Sequence, residues 1–439
     1  MINDNSEEIL RYIENHWLSN DLVQDNSGFG IRNIILDLCK IPRSQGEPAT
    51  ATEEKSFLAD RIRSGDGGVL RKSIMRIGRV SLPHNFIAPN PGYFAGTQFY
   101  WDSYFTILGL VTNGHVKLAK NMIDNLCFLF DKFGLVPARN SWTSVGRSQP
   151  PFLTSMAFEV FEHGGVDVAW MDYVMNIAQQ EYERVWMSEP RYNHKSGLSQ
   201  YNPKYFGKLL AVFESGWDLS SRYSGNARLL PVDLNCLIYK YESDFLKWAV
   251  YKNDKTKQLY WRAAMKRRKK LINDYFWDEK SGFYNDYNLK TNRLEKLKTL
   301  AGFYPLWCGV ADQKQAGKCL KMLKAFEHAG GLATTVKMKP SHKQWDYPNG
   351  WAPLQLVVIE GLSRYGFEKD AERLTRKWLD CNQKVFAATA TLWEKYDVVN
   401  CRVGLRGRYA TQPDFSWTMA VFVRLQSRTE HKSPVPMAN

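Results

Sequence analysis

Apolar residues return at helical spacing along most of this 439-residue chain, while the alternation expected of a half-buried strand is scarce. The run from Phe105 to Leu110, continuing over Val116, Leu118, Met122 and Leu126 to Phe130, predicts one long helix. Further helices are predicted at 168–187, 231–250, 257–276, 303–325, 352–365, 368–383 and 415–427. Two joints between them look alike: Tyr192-Asn193-His194-Lys195-Ser196-Gly197-Leu198 and Trp277-Asp278-Glu279-Lys280-Ser281-Gly282-Phe283-Tyr284 each end a helix with a Lys-Ser-Gly turn before a short strand. A repeated helix-to-hairpin joint means helices added in pairs, with connecting loops gathered at the ends. No linker rich in Pro, Ser or Gly divides the chain, and the polar stretch at 40–66 is the one visible boundary. Residues 1–85 are therefore read as an N-terminal arm or helical extension packed on a single helical domain spanning 86–439.

Composition narrows the function classes. With 44% hydrophobic residues the chain can bury a large core, which excludes disorder. The balance of 59 Lys and Arg against 45 Asp and Glu attracts polyanions in general, but no nucleic-acid module accompanies it. The densest basic run, Lys266-Arg267-Arg268-Lys269-Lys270, reads as the wet face of an amphipathic helix. No nucleic-acid partner is expected, and no membrane partner either, because no apolar stretch approaches about 18 residues. Seven cysteines are scattered without a CxxC pair, and the N-terminus is acidic where a signal peptide would be basic, so a cytoplasmic protein is expected. The histidines form no close ligand pair, and no dinucleotide, phosphate-loop or zinc-protease motif sits in a supporting context; neither metal nor cofactor is expected. A monomer or weak homodimer is expected.

Several segments spend costly residue types in ways that packing alone does not demand. Tyr100-Trp101-Asp102-Ser103-Tyr104 places a carboxylate among aromatic rings just before an apolar helix. Asp102 suits a helix cap, and equally a sugar site, where aromatic faces pack on the pyranose and a carboxylate takes hydroxyl protons. Gln344-Trp345-Asp346-Tyr347-Pro348-Asn349-Gly350-Trp351-Ala352-Pro353 repeats that chemistry, although Trp351 also suits a core. In Glu214-Ser215-Gly216-Trp217-Asp218, Asp218 lies at a loop-like point beside Trp217, a setting that raises a carboxyl pKa toward that of a general acid; a salt bridge to Arg222 would do the opposite. Trp393-Glu394-Lys395-Tyr396-Asp397 offers the second carboxylate, Glu394, as a base. Arg147-Ser148-Gln149-Pro150-Pro151 presents Arg147 and Gln149 from a rigid turn.

Taken together, these motifs resemble the trehalase family, inverting α-glycosidases of the six-hairpin (α/α) toroid type. The segment from Gln344 to Pro353 matches a family signature nearly in full, and the others fall in family order, so the likeness spans roughly residues 85–425. It implies an all-α (α/α)6 toroid with short β-hairpins in its loops. It implies Asp218 as general acid, Glu394 as the base that activates water, and no cofactor. Trp101, Asp102, Arg147, Gln344, Trp345 and Asp346 match positions that line the glucose pocket, with Gln149 and Gly216 beside them in the matched motifs. The implied activity is hydrolysis of an α-glucosidic bond with inversion, trehalose being the first substrate.

The chain departs from the pattern in one area. The glycines and arginine of the first signature become Gly92-Tyr93-Phe94-Ala95-Gly96-Thr97, the motif before Arg147 becomes Pro137-Ala138-Arg139, and the stretch after the base becomes Val403 to Tyr409. The leaving-group pocket is thus expected to differ. Lys204, Arg406 and Arg408 suit an acidic aglycone such as a glycerate, and equally a solvated loop. A non-catalytic sugar-binding relative is the remaining alternative.

Overall fold

The computed structural model of the chain describes residues 4–19, 23–24, 78–202, 208–224, 228–339, 341–405, 407 and 409–430. Cys39, the polar stretch at 40–66, Lys204, Arg406 and Arg408 lie outside the described residues.

The helices are α1 (Asp4–Leu18), α2 (Tyr100–Thr112), α3 (Val116–Phe133), α4 (Leu153–Glu162), α5 (Val168–Glu181), α6 (Lys208–Glu214), α7 (Val232–Tyr251), α8 (Lys255–Phe276), α9 (Tyr304–Trp307), α10 (Gln313–Met322), α11 (Ala352–Arg364), α12 (Glu368–Thr389) and α13 (Ser416–Glu430). α2, α4, α7, α9, α11 and α13 each pack on the next, and α13 closes back on α2, which makes an inner ring. These helices are buried on most of their faces: every residue of α2 from Tyr100 to Val111 is buried. The outer helices have one apolar stripe. In α8, Gln258, Trp261, Ala264, Arg268, Ile272 and Phe276 face inward at spacings of three and four. The ring is the (α/α)6 toroid.

Two predicted helices break. The apolar run 105–130 divides into α2 and α3 at Asn113-Gly114-His115, where Gly114 has φ +82°. The span 303–325 divides at Gly309, φ +80°, into α9 and α10. The basic run lies along α8 with Lys266, Arg267 and Lys270 exposed, but Arg268 turns inward and pairs with Glu242 at 2.7 Å.

α1 packs along α12, with Tyr12 edge-on to Phe386, and against the α2–α3 turn, where Glu14 meets His115 at 2.9 Å. Both Lys-Ser-Gly joints are two-stranded hairpins, Tyr192–Asn193 with Leu198–Ser199 and Trp277–Asp278 with Phe283–Tyr284. Gly197 and Gly282 take the left-handed turn position, φ +69° and +65°. Further hairpins follow α10 and α12, at Glu327–His328 with Gly331–Leu332 and Tyr396–Asp397 with Arg402–Val403. The chain thus turns at the end of an outer helix and enters the next inner helix from the same end of the ring.

Candidate active site

That end of the ring holds a cavity of about 310 Å³, within the range of small-molecule sites. The inner helices start there. Trp101 and Asp102 lie in the first turn of α2, Trp351 caps α11, Trp417 opens α13, and Gln149 precedes α4. Helix N-termini carry partial positive charge, so carboxylates are favoured at this end.

Glu394 is 1% exposed and held on both oxygens. Oε2 accepts from Lys395 Nζ at 2.8 Å, and Oε1 accepts from the Tyr409 hydroxyl at 2.5 Å. Burial and the adjacent Glu394 push the Tyr409 phenol well above its ordinary range, so it stays a donor. The Trp417 indole N–H donates to the Glu394 carbonyl at 3.0 Å, which fixes the backbone.

Asp218 approaches the same cavity from a different element, a half-buried loop. Two residues of that loop have left-handed backbone, Gly216 at φ +74° and Leu219 at φ +60°. A side chain at Gly216 would place its Cβ 2.7 Å from the Trp101 ring, so glycine is required by space as well as by φ. Leu219 has no such licence and stores strain next to Asp218, at a cost of about 1–3 kcal/mol. Arg222 does not take the salt bridge to Asp218 that the spacing allowed: its N–H groups go to Asp233 at 2.6 and 2.7 Å and to Asp286 at 2.6 and 2.8 Å.

The rest of the lining includes Trp101, Asp102, Arg147, Gln149, Gly216, Gln344 and Trp345. Burial pushes the Asp102 carboxyl well above the usual carboxylate range; a backbone hydrogen bond opposes this and nearby Glu394 and Asp218 add to it. Gln344 is 1% exposed, and its Oε1 has no hydrogen-bond partner among the described residues, as suits an acceptor waiting for a hydroxyl. Gln149 Oε1 accepts from the Trp101 backbone N–H at 3.3 Å, which ties the proline-stiffened turn to α2.

Asp346 is a correction. It does not line the cavity; fully buried behind it, it accepts from the Ser221 N–H at 2.8 Å and from the Ser221 and Ser341 hydroxyls at 2.7 and 2.6 Å. It anchors the Asp218 loop to the tryptophan motif. Glu214 does a similar job from the far side, accepting from the Ser148 N–H at 2.8 Å and from Arg191 Nε. Arg408 lies outside the described residues.

Sequence reasoning missed Lys395 and Tyr409 as partners of Glu394, and Tyr93, Phe94, Arg139 and Trp417 as lining. Lys395 had a signal in its adjacency to Glu394. Tyr409 had only its position in an otherwise basic stretch.

Among the described residues no cluster of His, Cys, Asp and Glu is arranged to hold a metal ion, and no helix is long and apolar enough to cross a membrane.

The family model described as Trehalase matches residues 71–208 and 200–429. The chain belongs to the trehalase family. It is 31% identical to a cytosolic neutral trehalase of Neurospora crassa over 76% of its own length and 57% of that protein's. It is likewise 31% identical to a periplasmic trehalase of Salmonella dublin, over 92% of this chain and 78% of the relative. In three dimensions it matches a neutral trehalase from Saccharomyces cerevisiae with a TM-score of 0.77, 24% identity, and coverage of 97% and 94% of the two chains. A mannosylglycerate hydrolase from Thermus thermophilus shares the fold more distantly, with a TM-score of 0.61, 18% identity, and coverage of 78% and 96%.

Proposed function

We propose that this trehalase-family chain hydrolyses an α-glucosidic bond with inversion, α,α-trehalose being the first substrate to test. Asp218 protonates the bridging oxygen as the sugar moves toward an oxocarbenium ion. Glu394 takes a proton from a water on the opposite face, and that water becomes the anomeric hydroxyl. Trp101, Asp102, Arg147, Gln149, Gln344 and Trp345 bind the glucosyl ring, with the indoles against its C–H surface and amide and carboxyl groups on its hydroxyls.

The observation that carries this reading is that Asp218 and Glu394 reach one tryptophan-walled cavity from different parts of the chain, with Glu394 already bonded to Lys395 and Tyr409. The test is to follow trehalose hydrolysis by proton NMR during the first turnovers. Equal early signals from α- and β-glucose are expected, since inversion converts one half of the symmetric substrate and releases the other unchanged. Early α-glucose alone would mean retention and would overturn the base role of Glu394. Calorimetric binding of trehalose without glucose release would leave a sugar-binding relative instead.

A second reading concerns the leaving group. Arg139, where the family pattern has a small residue, lines the cavity, and a guanidinium there suits an acidic aglycone such as glycerate. Comparing kcat/KM for trehalose and glucosylglycerate decides between the two, and trehalose ahead by tenfold or more would remove the acidic aglycone. A cytoplasmic site of action is proposed from the free thiols of Cys127, Cys236, Cys308, Cys319, Cys381 and Cys401, and fractionation of the source cells checks it.

A further inference from the structure

In the wall of the cavity, three tryptophans and two cations form a continuous column. The Arg222 guanidinium carbon sits 4.6 Å from the centre of the Trp217 ring. Trp217 stacks on Trp345 with centroids 5.5 Å apart and planes at 16°, and Trp345 stacks on Trp351 at 3.8 Å and 1°. Lys395 Nζ closes the column 4.9 Å from the Trp351 ring. All five are buried: Trp217 and Lys395 at 0%, Trp351 at 1%, Trp345 at 2% and Arg222 at 4% exposure.

The ends of the column matter because of what they adjoin. Trp217 is the residue before Asp218, and Lys395 is the residue after Glu394 and holds its Oε2. Arg222 is pinned by Asp233 and Asp286, so the first end cannot drift. Stacked indoles have a fixed repeat and only two side-chain torsions each, and a cation over an aromatic face is held more strongly when desolvated than when exposed. Backbone ties hold the column in register. The Trp345 N–H donates to the Leu219 carbonyl at 3.3 Å, and the Trp351 indole donates to the Gln344 carbonyl at 3.1 Å.

We propose that this cation-capped column is a spacer that sets the position of Glu394 relative to Asp218, and that Trp351 acts in it as a positioning residue through Lys395. The proposal rests on the reading of Asp218 and Glu394 as acid and base. An inverting reaction needs room for one water between its carboxyl groups, so a change of about 1 Å in their separation is enough to slow it on the order of 100-fold.

The test compares wild type, Trp351→Phe and Trp351→Leu on trehalose and on α-glucosyl fluoride, whose leaving group needs no proton. Trp351→Leu is expected to lower kcat on both substrates by roughly 10–100-fold while KM stays within about twofold. Loss on the fluoride places the defect on the base side. Trp351→Phe keeps a ring under Lys395 and is expected to recover most of the loss. A raised KM with kcat unchanged in Trp351→Leu would make Trp351 a simple sugar contact and overturn the proposal, as would wild-type kinetics in both variants. Should Trp351→Leu fail to give a cooperative thermal transition, Trp351→Phe decides alone: a residual kcat deficit of a few-fold at unchanged KM on both substrates is expected, and wild-type kinetics in it would overturn the proposal. Wild type inactive on both substrates would instead overturn the acid and base reading itself.

Discussion

Glu394 in the candidate active site and Glu181 in the core beneath it are both buried carboxylates that accept hydrogen bonds from tyrosine hydroxyls. Glu181 Oε2 takes the Tyr100 hydroxyl at 2.8 Å and the Tyr241 hydroxyl at 2.7 Å, and Glu394 Oε1 takes that of Tyr409. What separates them is Lys395, which puts an ammonium on the second oxygen of Glu394. Burial pushes Glu181 up to about 7 even against its tyrosine donors, Trp186 and the more distant Arg191. Hydrogen bonds alone do not keep a carboxylate charged at this depth. Glu394 differs in meeting an ammonium at its second oxygen, at the edge of the cavity.

The largest effect expected from this contrast is catalytic. Glu394→Gln should lower kcat on an α-glucoside by about 10²–10⁴-fold, the usual span of a lost general base. Glu181→Gln should leave the same kcat within roughly twofold, since its side chain does not reach the cavity. Equal losses in the two variants, measured by glucose release, would erase the distinction.

The next effect appears in stability against pH. The Glu181 carboxyl titrates at about 7 in the folded chain against 4.5 as its ordinary value, so between those pH values the folded state holds a proton the unfolded state has released. This group's contribution to stability therefore falls as pH rises through that window, by about 3 kcal/mol in all. Glu181→Gln should flatten that part of the curve. Urea midpoints at pH 5, 6, 7 and 8 for the two proteins would show it, and parallel curves would contradict it.

The single hydroxyls sharpen the comparison further. Tyr409→Phe should lower kcat by roughly tenfold through a loosened Glu394, with little change in melting temperature. Tyr241→Phe removes one of two donors to a group that is already able to hold its own proton, and should cost only about 1 kcal/mol of stability and no activity. A kinetic defect in the second would mean that the core carboxylate communicates with the site.

What the sequence made legible follows the same physics. Helices announce themselves by apolar residues at helical spacing, and the tryptophan and carboxylate motifs mark where the chain spends residues that packing does not need. Glycine was the ambiguous letter. Gly109 lies inside α2 because a Cβ there would meet the Ala420 Cα at 2.4 Å, whereas Gly114, five residues on, ends the helix pair's first member with φ +82°. Periodicity reads the two alike, so the 105–130 run looked unbroken. Asp346 was misread for a related reason. Its motif marks the pocket, but a carboxylate can serve a loop as well as a ligand, and only the positions of Ser221 and Ser341 reveal which. The departures from the family pattern fall partly on Lys204, Arg406 and Arg408, outside the described residues.

The smallest expected effect tests whether depth, rather than the ion pair as such, gives a counter-ion its importance. Lys270 and Asp274 form an ion pair on the outer face of α8 with the lysine side chain 75% exposed, while two residues earlier Arg268 meets Glu242 at 3% and 0% exposure. Water screens the first pair and the two side chains must give up freedom to hold it, so Lys270→Ala should change stability by no more than about 0.5 kcal/mol. Its trehalose kinetics should match wild type, because the residue lies on the far side of the outer ring from the cavity lining. A loss above about 1 kcal/mol in urea unfolding would mean that an exposed cation carries the weight argued here for buried ones such as Lys395.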